Sequence, residues 1–123
     1  MLKKSLNSVK VLSLNKSKVI KQLKKIAYEY SKKKIEIRKI ILFGSLVSDD
    51  FTPYSDADLL LILDDRAEVP KRIRDRIPFY LPDKSPVPLD IFPLKQGELN
   101  MKLSCCDFFY EKIMENGIIL FSR

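Results

Sequence analysis

Asp56 and Asp58 stand one residue apart at the head of an apolar run, and Gly44-Ser45 closes another apolar run with ten residues between the two pairs. In a strand, side chains at i and i+2 share a face, so the two aspartates would stand side by side. Like charges held that close repel and lose solvation, an arrangement that is costly unless a cation sits between them. A hard divalent ion with a preference for oxygen, Mg²⁺ above all, is the natural occupant. Gly44-Ser45 lets the backbone turn tightly and present N–H groups to an anion, so the pair is suited to phosphate. The chemistry these residues could do together is metal-assisted transfer at phosphorus.

Gly-Ser, a spacer of ten residues, then Asp-Ala-Asp with the apolar tail Leu-Leu-Leu-Ile resembles the signature of the DNA polymerase beta-like nucleotidyltransferase superfamily, and in particular its minimal nucleotidyltransferase members. The signature occupies Gly44 to Asp58, and the resemblance in element order extends over most of the chain. It implies a third carboxylate on a later strand, for which Asp90, inside the run Val87-Pro88-Leu89-Asp90-Ile91-Phe92, is the candidate. A carboxylate among apolar neighbours is expensive without a partner. By resemblance, Asp56, Asp58 and Asp90 would be the catalytic and metal-binding residues, with Asp90 helping to activate the attacking hydroxyl, and Gly44 and Ser45 would bind the nucleotide. The implied cofactor is two Mg²⁺ ions, with an NTP, ATP in the first place, as substrate. The implied partners are a helical HEPN-type toxin, for which such a chain acts as antitoxin, or a second copy of the chain. One departure stands out: minimal members carry an Arg and then a Gly shortly after Gly-Ser, whereas here Leu46-Val47-Ser48-Asp49-Asp50 follow.

Composition narrows the alternatives. There is no histidine, which rules out a Ser-His-Asp triad, a Cys-His dyad and any His-ligated zinc. Proton transfer must then run through carboxylates, Lys, Tyr or water. At 123 residues with 46% apolar and 32% charged, the chain reads as one soluble domain over 1–123. No apolar run approaches the roughly 20 residues that span a bilayer, and the N-terminus is too polar for a signal peptide. Cys105 and Cys106 are adjacent, a poor geometry for a mutual disulfide; the reading is a reducing cytoplasm with at least one of the two buried. The formal charge of +7 is concentrated in the first 39 residues and at Lys71, Arg72, Arg74 and Arg76. It admits a small RNA-binding protein as a further reading. A binding module that keeps the fold and has lost catalysis is the other alternative, favoured by the missing basic residue after Ser45 and by Asp49-Asp50.

The elements that must position these residues follow from periodicity. Residues 1–13 give no clear period and read as an arm or a short first element. Val19, Ile20, Leu23, Ile26, Ala27 and Tyr30 recur at helical spacing over residues 15–33. Residues 35–43 form a strand entering the sheet interior, and Ser45 caps a short helix towards Asp50. A turn follows at 52–55, and residues 56–63 make a second strand, apolar on both faces and therefore central. Asp64 and Asp65 are turn residues. A helix over 68–80, bounded by Pro78 and Pro82, would put Val69, Ile73, Ile77 and Tyr80 inward, and Lys71, Arg72, Arg74 and Arg76 outward with some reach towards phosphate. Residues 87–94, rich in proline, suit an edge or interrupted strand. Residues 96–104 are ambiguous between loop and a helical turn. A helix over 105–116, with Phe108, Phe109, Ile113 and Met114 or Tyr110 inward, ends at Gly117, and 118–121 returns as a strand. The fold class is α/β (α+β): a single-domain nucleotidyltransferase fold with a mixed sheet of about four strands flanked by helices.

Overall fold

The two most apolar runs of the chain, residues 40–43 and 59–63, pair with each other at the centre of a four-stranded sheet. The computed structural model describes residues 2–47 and 56–123, with side chains from Lys16 onward. In chain order the elements are α1 (Leu2–Lys33), β1 (Ile37–Phe43), a 3-10 turn (Gly44–Val47), β2 (Ala57–Leu63), α2 (Ile73–Tyr80), β3 (Leu89–Lys95), α3 (Gln96–Ser104), α4 (Phe108–Asn116) and β4 (Ile118–Ser122). The strand order is β3-β2-β1-β4. β1 is antiparallel to both β2 and β4, whereas β2 and β3 run parallel, so α2 lies on the crossover between them.

Alternation along each strand sorts the core into two layers. Ile40, Leu42, Ala57, Leu59, Leu61, Leu63 and Ile91 face α1, where Leu23 and Ala27 supply the opposing surface, together with Tyr80 of α2. Ile41, Phe43, Leu60, Ile62 and Leu94 face the other way, onto Leu99 of α3 and Tyr110 and Ile113 of α4. β1 and β2 are thus covered on both sides, as their unbroken apolar runs require. β3 is an edge strand, where Pro93 needs no ladder donor.

Several expectations are corrected. The segment read as an arm or short first element belongs to the continuous helix α1, which begins at Leu2. The first strand begins at Ile37, leaving Ile35 exposed in a turn. α2 begins only at Ile73 and runs through Pro78 rather than stopping there; buried Arg76 and Tyr80 hold the short helix in place despite the lost backbone donor. Residues 96–104 are a full helix. Both cysteines are exposed, because α3 ends at Ser104 and Cys106 turns the chain in a left-handed conformation with φ 58°. α4 starts three residues later than periodicity indicated, at the Asp107 cap, whose carboxylate accepts from Phe109 N at 3.1 Å. Its inward residues are therefore Tyr110 and Ile113, while Phe108, Phe109 and Met114 are exposed. The expected helix towards Asp50 and the turn at 52–55 lie outside the described residues, apart from the 3-10 turn.

The largest correction concerns Arg76, which is 2% exposed. Its guanidinium meets Glu98 in a two-pronged pair, Nη1 to Oε1 at 2.6 Å and Nη2 to Oε2 at 2.9 Å. It also donates to the carbonyls of Pro70 (2.7 Å), Pro93 (2.9 Å) and Lys71 (3.3 Å). Five donors in a rigid fork can satisfy this ring of acceptors, which makes Arg tolerable where a Lys would not be. The pair fastens α2 to β3 and to the start of α3, where Glu98 Oε1 also accepts from Lys95 N at 2.7 Å.

Removing one partner strands a buried charge. Because Glu98 is partly open to solvent, Glu98→Gln should cost about 2 kcal/mol at pH 7, below the range for fully buried pairs. Arg76 holds the Glu98 carboxyl below its usual range, chiefly through their hydrogen bonds and against the effect of burial. A lowered acid contributes stability above its unfolded pKa and loses it as pH falls through the folded one. Denaturant melts should therefore show the gap between wild type and Glu98→Gln closing once the pH drops below the ordinary glutamate range; a gap constant with pH would contradict the assignment.

Candidate active site

β1 ends at Phe43, and the next residue takes a conformation that only glycine adopts without strain: Gly44 has φ 84°. A Cβ on Gly44 would also land on Asp58 Oδ2. The turn and the carboxylate are thus packed directly against each other, and glycine is required twice over. Leu46, fully buried, pins the 3-10 turn to the core; Ser45, half-buried, lies on the same turn.

The aspartates are set by the alternation of β2. Ala57 is fully buried in the layer facing α1, so Asp56 and Asp58, on either side of it, project towards the opposite face. Asp56 is exposed just ahead of the strand and Asp58 is half-buried within it. On β3, Asp90 is the register partner of Asp58, and Phe43 of β1 is its partner on the other side. Partners on neighbouring strands, roughly 4.8 Å apart, present their side chains on one face. Asp90 therefore joins Asp58 rather than lying across the sheet from it.

Beneath the carboxylates lies an aromatic floor. Phe43 and Phe92, from β1 and β3, have ring centroids 5.5 Å apart. Phe109 of α4 meets them edge-on at 5.6 and 5.9 Å. The Asp58 carboxyl is pushed above its ordinary range, first by burial, then by the charge of Asp90, then by that of Asp56. Each of the three aspartates thus enters the electrostatics of one site. Among the described residues no group of three or more Cys, Asp or Glu side chains lies close enough together to hold a metal ion. An all-carboxylate, all-oxygen donor set fits a hard divalent ion and does not fit a thiolate or imidazole metal.

Other acidic residues have structural tasks. Asp64 pairs with Arg38 and Arg66 at 3.3 and 3.4 Å, and Asp65 accepts from Gly97 N at 2.7 Å, consistent with their reading as turn residues. Ser48, Asp49 and Asp50 lie outside the described residues. Sequence reasoning missed the Phe43–Phe92–Phe109 floor. A signal existed for two of its members, because Phe92 follows Asp90 by two residues and so shares its face; Phe109 became visible only once α4 was docked.

The comparisons with known proteins bear on the family and the fold. The model of the nucleotidyltransferase domain family matches residues 15–120, which takes in the whole site. No curated protein matches the sequence. Among solved structures, the chain is similar to that of a candidate nucleotidyltransferase from Sulfolobus solfataricus, at 18% identity over 88% of this chain and 84% of that one, with a TM-score of 0.60. That likeness is one of fold. With the family model spanning nearly the entire chain around Gly44, Asp56, Asp58 and Asp90, the protein belongs to the nucleotidyltransferase domain family.

Proposed function

We propose that the chain transfers a nucleoside monophosphate, AMP in the first place, from an NTP to a hydroxyl acceptor. The observation that carries this reading is the register of Asp58 with Asp90 beside a glycine turn packed on Asp58. The backbone N–H groups of the Gly44-Ser45 turn orient the β and γ phosphates. Two Mg²⁺ ions, held by Asp56, Asp58 and Asp90, would supply the positive charge that offsets the developing negative charge on the attacking and leaving oxygens. Asp90, the exposed member on the edge strand, takes the proton of the acceptor hydroxyl. Asp58, raised by burial and by its neighbours, is the member that gains most from a cation.

The acceptor belongs to a partner: a helical HEPN-type protein, for which this chain would serve as antitoxin, or a second copy of the chain. The exposed apolar side chains of Met101, Phe108, Met114 and Ile119 support a protein partner over a free small acceptor. A module without catalysis is the second reading, favoured by the absence of a basic side chain on the 3-10 turn Gly44–Val47.

Intact-mass analysis of a companion protein incubated with NTP, Mg²⁺ and this chain tests the proposal. The expected result is a nucleotide-sized gain that EDTA abolishes. Asp56→Asn, Asp58→Asn and Asp90→Asn should each lower the labelling rate by about 10²–10³ or more. Gly44→Ala, which strains the turn and collides with Asp58, should do the same. Full labelling by Asp56→Asn protein would sink the reading, and NTP binding without any transfer would favour the module.

Loss of activity in Asp58→Asn should not come from unfolding. A raised acid favours the folded state at low pH, and this contribution is lost as pH rises through the folded pKa. At pH 7 without divalent ions, the Asn variant should therefore melt slightly higher than wild type, by about 1–3 °C given the partial exposure of the site. The advantage should vanish below the usual aspartate range. A lower melting temperature at pH 7 would show that Asp58 carries a structural role instead.

A further inference from the structure

On the β4 side of Gly44, away from Asp90, a cleft of about 650 Å³ opens between the 3-10 turn and α4. Its size falls within the roughly 300–1,000 Å³ usual for small-molecule sites. Phe43, Gly44 and Val47 form one wall, and Phe109, Lys112 and Ile113 are on the other. Among the described residues Lys112 is the only charged one that lines it. Its ammonium lies 4.8 Å from the centroid of the Phe108 ring, and among the described residues it forms no ion pair.

The order of groups across the sheet gives this lysine a place in the reaction. Asp90 on β3, Asp58 on β2, Gly44 at the end of β1 and the Lys112 cleft follow one another from one edge towards the other. A nucleotide laid across the strands, with its reacting phosphorus at Asp58 and the acceptor at Asp90, would put its terminal phosphates at Gly44 and in the cleft. Those phosphates carry the most negative charge, yet the turn Gly44–Val47 offers only backbone, a hydroxyl and two aliphatic side chains. The cations of the α2 segment do not serve this cleft. Arg76 is committed to Glu98, and Lys71 lines a separate cleft with Glu98 and Lys102.

We propose that Lys112 binds the β and γ phosphates of the NTP and neutralises the leaving pyrophosphate, supplying from α4 the positive charge that the glycine turn lacks. This rests on the nucleotidyl-transfer reading above. In the step, the acceptor oxygen bonds to the α phosphorus while the bond from that phosphorus to the α–β bridging oxygen breaks. The electron pair leaves with pyrophosphate and the acceptor proton passes to Asp90. Lys112 offsets charge on the leaving side as a compact ammonium steadied by the face of Phe108.

Calorimetric titration of ATP and AMP into the full chain with Mg²⁺ provides the test, because only ATP carries the phosphates that Lys112 would hold. The expected result is that Lys112→Met weakens ATP binding about tenfold, the loss of one charge-assisted contact, and leaves AMP binding unchanged. Lys112→Arg should keep most of the ATP affinity, and Lys112→Glu should lose more than Lys112→Met. Lys112 is exposed, so all three variants should melt with wild type. If wild type prefers ATP over AMP and Lys112→Met retains that preference, or if both ligands weaken equally, the role of Lys112 is overturned while phosphate binding at the turn stands. If wild type shows no preference for ATP, the phosphate-binding reading of the turn falls and this inference falls with it.

Discussion

Placing carboxylates in register on adjacent strands is electrostatically unfavourable, and the architecture is arranged around bearing that cost in one place. Asp58 feels Asp90 beside it and Asp56 two residues away, above an aromatic floor that removes water from one side. The cost is tolerable because the cluster sits where β2 and β3 begin and β1 ends, so Asp56 and Asp90 stay exposed and their charges are screened. One strand turn further in, the same face is wholly apolar, with Leu60, Ile62 and Leu94 against Leu99, Tyr110 and Ile113. Burial there stabilises the sheet that the carboxylates strain.

Holding the cluster in register falls to elements remote from it. Asp90 lies on an edge strand that also carries Pro93 and is paired along one side only. Arg76 compensates by donating to the Pro93 carbonyl while its pair with Glu98 ties β3 to the helices on either side. At the other edge, Arg123 donates to the carbonyls of Ile37 and Ser31, fastening the last strand to β1 and to the end of α1. Both devices use guanidinium groups satisfied mainly by backbone carbonyls. The sheet can therefore be rigid around the site without acidic side chains being diverted from it.

What could be read in advance was what depends on local period and local backbone. Alternation placed Asp56 and Asp58 on one face, and the apolar runs made β1 and β2 central. Proline put β3 at an edge, and Gly44 marked a turn of unusual conformation. What could not be read depended on partners distant in sequence. Arg76 looks like a surface cation until Glu98, 22 residues later, and Pro93 are folded around it. The face of α4 rotated because Asp107, not Cys105, starts the helix. Residues 2–13 read as giving no clear period, yet Leu2, Leu6 and Val9 stand at helical spacing and α1 runs through them.

The exposure of Asp56 and Asp90 also bears on how such a site reaches full strength. Charge stabilisation of a transition state is worth most where water is excluded, and an edge-strand carboxylate open to solvent acts in a screened environment. The aromatic floor dries the site from below only. Dryness from above must come with the substrate or the acceptor, and the exposed rings of Phe108 and Phe109 on α4 extend the apolar surface outward on the side where the cleft opens. On the proposed reading, an acceptor carried on a folded partner would cover Asp90 and remove water from the three carboxylates in one step. That would couple the electrostatics of the proposed transfer to the docking of its acceptor, an effect that a free hydroxyl in solution could not produce.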